Sequence, residues 1–201
     1  MDAAPSAPSR PEERVSAPEP RIETPRLVMR PWSRDDAPTL AVVLDGSRQA
    51  LDRWTPWVLA ETESVARLRR RLERFAQHFA SAVEWRYALF HRDDPARPLG
   101  ECGLFPRVGA GALELGYWLA TPATGQGFAT EAAGALGDAA FRLDGIDRVE
   151  IRCDPDNEAS MRVPRRLGYR PRPLLVHEEP VKGRAGGHVV VWERLRGDSR
   201  A

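Results

Sequence analysis

Between Thr124 and Glu131 the chain reads Thr-Gly-Gln-Gly-Phe-Ala-Thr-Glu, which places Gly125 and Gly127 one residue apart at the head of an alanine-rich stretch. An apolar strand-like run precedes these residues and a helical pattern follows them. In that setting successive backbone N–H groups can converge on an anion, and the glycines permit the turn that aims them. The outline is that of a phosphate-binding loop, but a plain turn leading into a helix has the same composition, so the surrounding residues must decide. Further along, Asn157 stands just before a short helical stretch, where its side chain can cap the helix or hold a polar ligand. Cys102 and Cys153 lie alone in apolar runs, without a CxxC or a neighbouring histidine, and read as buried free thiols. His78, His91, His177 and His188 are dispersed, so no zinc site and no other metal is expected.

The elements that must position these residues follow from periodicity. Residues 1–21, rich in Pro, Ala and Ser, offer too few large apolar side chains to offset the entropy of ordering, and read as a disordered tail dispensable for folding. Leu27 to Met29 form a first strand ended by Pro31, and Ser33 with Asp36 resembles a capping box for a first helix. Thr62 is expected to cap the next helix. Its apolar positions Val65, Leu68, Leu72, Phe75 and Phe79 share one face, while Arg67, Arg70, Arg71 and Arg74 lie elsewhere as a solvated face. Strand patterns at Trp85–Phe90, Leu99–Phe105 and Leu113–Leu119, separated by turn-rich stretches, suggest an antiparallel meander. A helix over Thr130–Leu143 and a strand over Arg148–Cys153 then form a strand–helix–strand unit with a parallel or splayed strand pair. A short helix after Asn157 and strands near Leu174–His177 and Val189–Arg194 complete a mixed α/β (α+β) domain over residues 22–196, with residues 197–201 as a disordered C-terminus.

Composition narrows the partners. With 30 basic and 29 acidic residues the formal net charge is +1, so no global field draws the chain to nucleic acid or an anionic membrane. No transmembrane run and no secretory signal is legible, which points to the cytoplasm. A dinucleotide-binding fold would share the strand, glycine loop, helix and strand, with Glu150 as the ribose-binding acid. Against it, Thr130 occupies the third glycine's place, Glu150 falls early in its strand, and little chain remains for further parallel strands.

Four motifs in order carry a specific resemblance: ELGYWL (114–119), GQGFATEA (125–132), RVEIRCDPDNEAS (148–160) and LGY (167–169). They resemble the GNAT acetyltransferases, and with TPRLVMRPW (24–32) the set is similar to the subgroup that acetylates ribosomal-protein N-termini. The resemblance implies a mixed, mostly antiparallel splayed sheet flanked by helices, with acetyl-CoA as cosubstrate in the wedge between the GYWL and RVEIRC strands. It implies pantetheine pairing near Trp118 and Leu119, pyrophosphate on the amides of Gln126, Gly127, Ala129 and Thr130, and a hydrogen bond from Asn157 to the pantetheine arm. It further implies that Ser160 protonates the departing thiolate and that Glu179 helps deprotonate the amine. Other members place a base where Glu114 stands, and Glu101 is a third candidate. Tyr169 reads as a packing aromatic, and Trp54 and Trp57 either wall an acceptor pocket or join the core.

Two departures from the family pattern stand out. Thr124 replaces a longer Gln or Arg, shortening a side chain expected to brace the loop. Pro164 removes the N–H that would bond the Ser160 carbonyl, so its helix is expected to kink or begin late. The acceptor implied is a protein N-terminal α-amine. The alternatives are a small-molecule amine, or a non-catalytic acyl-CoA sensor of the same fold.

Overall fold

The computed structural model describes residues 17–172, 175–176 and 188–198. Ile22–Glu23 (β1) and Leu27–Pro31 (β2) pair antiparallel, and the period-two pattern of β2 sends Leu27 and Met29 into the core. The Glu19 carbonyl accepts a 2.7 Å hydrogen bond from the Tyr87 hydroxyl, so a truncation that spares Glu19 keeps this bond. Ser33 and Asp36 form the expected capping box, which opens a 3₁₀ turn running into Ala37–Asp45 (α1). Arg48–Trp54 (α2) follows at once, an extra helix that the sequence pattern did not announce. Ser64, not Thr62, caps Val65–Ala80 (α3): its Oγ accepts from the Arg67 N–H at 3.2 Å, whereas Thr62 donates back to the Leu59 carbonyl. Arg71 of α3 is no solvated charge, because its Nη1 donates to the carbonyls of Val58 and Ala60 at 2.7 Å each.

Trp85–His91 (β3), Asp94–Phe105 (β4) and Ala112–Leu119 (β5) make the antiparallel meander. Phe128–Phe141 (α4) then crosses over to Arg148–Cys153 (β6), which runs parallel to β5. Glu158–Arg166 (α5) leads to Arg170–Pro171 (β7), Leu175–Val176 (β8) and His188–Leu195 (β9). The strand order is β1-β2-β3-β4-β5-β6-β9-β7, with β8 paired to β9.

Each face of the sheet has its own core. On one face the small residues Ala132, Ala133, Ala139 and Ala140 let α4 approach closely, with Leu136 packed among Leu113, Leu115, Val149 and Ile151. Gly137 leaves room there for Tyr169, since a Cβ would sit 2.9 Å from the Tyr169 hydroxyl and force the ring to shift. On the other face α1 and α3 bring Leu40, Leu44, Leu68, Leu72 and Phe75 against Ala88, Phe90 and Trp118. Each leucine so buried contributes about 1.5–3 kcal/mol.

A polar clamp fastens the β1–β2 corner to the first turn of α4. Glu131 accepts from Thr24 Oγ1 at 2.6 Å, from the Arg26 backbone N–H at 2.9 Å and from Arg26 Nε at 2.7 Å. Burial alone would raise the Glu131 pKa, but the bonds from Thr24 and Arg26 outweigh it and hold the carboxyl below its ordinary value. A depressed carboxylate contributes stability above its unfolded pKa and loses it as pH falls through the folded one. Glu131→Gln is therefore expected to lower the melting temperature at neutral pH and to flatten its decline below pH 4.5, the ordinary value for this group. Melting curves run in parallel from neutral to acid pH check this; an unchanged acid slope would remove Glu131 from the linkage.

Candidate active site

The parallel ladder between β5 and β6 is short. It joins Ala112 to Arg148, Leu113 to Val149 and Glu114 to Glu150, and then stops. Beyond Glu114, residues through Leu119 pair only with β4, while Ile151 to Cys153 pair only with β9. The two strands part into a wedge, as the resemblance implied. Charges lock its closed end: Arg107 binds both oxygens of Glu114 at 3.0 and 2.6 Å, and Arg152 reaches Glu150 at 3.0 Å and Glu114 at 3.8 Å. Glu150, only 2% exposed, also pairs with Arg148 at 3.0 Å, which offsets the cost of burying its charge.

At the open end β5 passes through a 3₁₀ turn, Thr121–Ala123, into the glycine loop. Gly127 caps α4 at φ 84°, a left-handed conformation that favours glycine, and Gly125 has φ 76°. Because the Glu131 N–H is the one that bonds back to the Gly127 carbonyl, the amides of Phe128, Ala129 and Thr130 have no partner one turn earlier in the helix. They form the positive end of a helix dipole beside the wedge. Helix α4 begins two residues before the Thr130 expected from the sequence, since Gly127 supplies the turn on its own.

The shortened Thr124 does not leave the loop unbraced. Thr124 Oγ1 donates to the Thr121 carbonyl at 2.8 Å and Gln126 Nε2 to the Pro122 carbonyl at 2.8 Å. From the β1–β2 corner, Arg26 Nη1 donates to the Gln126 carbonyl at 2.9 Å, and its guanidinium lies 4.6 Å from the centre of the Phe128 ring. Sequence reading missed Arg26, a hundred residues from the loop; Glu131, a carboxylate in the first turn of α4, was the only signal that a cation was needed.

Helix α5 starts at Glu158 and continues through Pro164 to Arg166, so it does not begin late. Asn157 caps it by accepting from the Ser160 N–H at 3.1 Å, which leaves the Asn157 amide hydrogens free of that task. Ser160 Oγ lies 3.2 Å from the Tyr117 hydroxyl of β5 and 3.3 Å from Cys153 Sγ at the end of β6. Both walls of the wedge thus meet α5 at Ser160. Trp118 is buried on the α3 side of the sheet and Leu119 ends the unpaired edge.

The candidate bases differ in setting. Glu114 sits at the closed end within its guanidinium cluster. Buried Glu101 is held by Trp32 Nε1 at 2.6 Å and Arg86 Nη1 at 2.9 Å, as a structural anchor of the second core. Glu179 lies outside the described residues. Tyr169 packs in the core, and both cysteines are buried thiols. Neither tryptophan joins the core: Trp57 is 46% exposed, and Trp54 lines an open cavity of about 700 Å³ with Ser47 and Thr121.

An unpaired strand edge can pair with the amides of an extended ligand, and a helix N-terminus at its open end can take an anion. The chain belongs to the GNAT acetyltransferases: residues 26–170 match the Acetyltransferase (GNAT) domain. It is 25% identical over 170 residues, 83% of this chain and 89% of the relative, to the probable N-acetyltransferase YjcK of Bacillus subtilis. It is 34% identical to the N-acetyltransferase p20 of Bacillus licheniformis over 88 residues, a match spanning 43% of this chain and about half, 49%, of that one. Among solved structures it resembles RimL, a ribosomal L7/L12 alpha-N-protein acetyltransferase in complex with coenzyme A, at 22% identity and TM-score 0.74 over 87% of this chain and 97% of that one.

Gly127→Asp tests the loop. The substitution strains a left-handed position and puts a negative charge at the helix N-terminus, so acetyl-CoA affinity measured by calorimetry should fall tenfold or more, about 1.4 kcal/mol. Gly127→Ala, which adds strain without charge, should lose less. Unchanged affinity in a folded Asp variant would take the loop out of the site.

Proposed function

We propose that the protein transfers the acetyl group of acetyl-CoA to an amine, and that the acceptor is a protein N-terminal α-amine. The carrying observation is the unpaired edge from Leu115 to Leu119 opening toward the N-terminus of α4. In this reading the pantetheine amides pair along Trp118 and Leu119, the Asn157 amide steadies the arm, and the amides of Gln126, Gly127, Ala129 and Thr130 bind the pyrophosphate. The acceptor nitrogen attacks the thioester carbonyl as it gives up a proton, the C–N bond forms, and the C–S bond breaks. Ser160 donates to the departing sulfur, so that across the cycle the amine's proton ends on the coenzyme A thiol. RimL's named substrate supports the α-amine over other acceptors.

Glu114 and Glu179 are the two candidates for the base. The bidentate hold of Arg107 on Glu114 favours Glu179, because a carboxylate committed to a guanidinium has fewer lone pairs for a water leading to the amine. Thiol release from acetyl-CoA, measured against peptides with free N-terminal Ser or Ala, lysine peptides with blocked N-termini and small amines, tests the whole reading. The free α-amine peptides should turn over fastest. Turnover with small amines alone would make this a small-molecule enzyme, and binding without release would make it a sensor. Replacing the true base by Gln should slow turnover about 10²-fold or more, with the loss shrinking at high pH as the amine arrives deprotonated. If neither single change nor the double change slows it, proximity alone carries the reaction.

A further inference from the structure

Pro164 stands four residues after Ser160 in α5, so the N–H that would close this helical turn on the Ser160 carbonyl does not exist. A backbone carbonyl in the interior needs a donor from elsewhere. The donor is Tyr117, reaching across the wedge from β5 to place its hydroxyl 3.0 Å from the Ser160 carbonyl oxygen. That oxygen only accepts, and a phenol has one hydrogen to give. With that hydrogen committed, Tyr117 Oη faces Ser160 Oγ, 3.2 Å away, as an acceptor. Cys153, whose Sγ is 3.3 Å from Ser160 Oγ, completes a directed chain: thiol to serine hydroxyl, serine hydroxyl to phenol, phenol to the carbonyl that proline left open. Loss of solvation keeps the Tyr117 phenol protonated well above its ordinary range, which preserves the donor at the head of the chain.

We propose that Tyr117 is a positioning residue for acyl transfer, recruited by the carbonyl that Pro164 frees and fixing the Ser160 hydroxyl between the two walls of the wedge. The proposal rests on the reading of Ser160 as donor to the departing thiolate. No bond of Tyr117 is made or broken; before transfer the phenol oxygen accepts from the Ser160 hydroxyl and sets its place, and when the Ser160 hydrogen swings to the sulfur the Cys153 thiol still donates to Oγ. The arrangement also explains how a helix with an internal proline can carry a reacting hydroxyl in its first turn. The freed carbonyl becomes the point at which β5 holds it.

Two cycles of variants test the inference. With acetyl-CoA and a serine-initiated peptide bearing a free α-amine, Tyr117→Phe should lower kcat several-fold and leave the KM for acetyl-CoA within about twofold. Added to Ser160→Ala it should cost nothing more, since a residue acting only through Ser160 has nothing left to position. Independently of any acceptor, Tyr117→Phe should lower the melting temperature more in the natural chain than in Pro164→Ala, where the restored N–H can satisfy the carbonyl. An additive loss of kcat, or an equal thermal cost in both backgrounds, would overturn the proposal. An unaffected kcat in Ser160→Ala would sink the Ser160 reading itself and the catalytic half of the proposal, while the thermal cycle would still judge the link between Tyr117 and Pro164.

Discussion

Everything in this fold that bears on chemistry depends on two parallel strands parting after three residue pairs. A strand edge left without its ladder is a cost, because its N–H and C=O groups need partners. Here the cost is confined to one side of β5 and one side of β6, and on the function we propose the groups so exposed pair with the amides of the ligand. What fixes the point of parting is a charged hinge, with Glu114 and Glu150 opposite each other and Arg152 within reach of both. Like charges placed side by side would repel, so the arginines of β6 and Arg107 are structural necessities of the closed end.

The open end is held apart and organised by different means. Tyr117 spans from β5 to α5, and Arg26 ties the β1–β2 corner to the loop that follows β5. Both contacts satisfy backbone carbonyls, those of Ser160 and Gln126. Each carbonyl lies in an element interrupted by a residue with special backbone demands, Pro164 in one case and Gly127 in the other. Local irregularity at the site is therefore compensated by side chains distant in the sequence, which satisfy backbone carbonyls where the backbone departs from regular structure.

Much of this was legible from residue order. The strand Arg148–Cys153 falls where its apolar alternation put it, the meander holds, and the capping box at Ser33 forms, because these features rest on local periodicity and short-range hydrogen bonding. The misplaced cap at Thr62 is a competition between two hydroxyls two residues apart, settled when Ser64 lay nearer the first buried leucine of α3. Of the two readings open for Trp57, pocket wall or core, its place in a 3₁₀ turn beside α2 removes the core, leaving 46% of it exposed. Arg26 and Tyr117 could not be assigned in advance. Their partners are backbone carbonyls with no side-chain signature, Gln126 lying 100 residues from Arg26 and Ser160 lying 43 residues from Tyr117.

Hydrogen–deuterium exchange with and without acetyl-CoA addresses the central claim most directly, since it reads backbone amides and requires no knowledge of the acceptor. If the parted strands and the glycine loop receive the ligand, acetyl-CoA should slow exchange in segments covering residues 115–119 and 126–130, leaving the closed end at 112–114 unchanged. Tight binding with protection only elsewhere, for instance along α1 and α3, would contradict the account and move the site to the opposite face of the sheet.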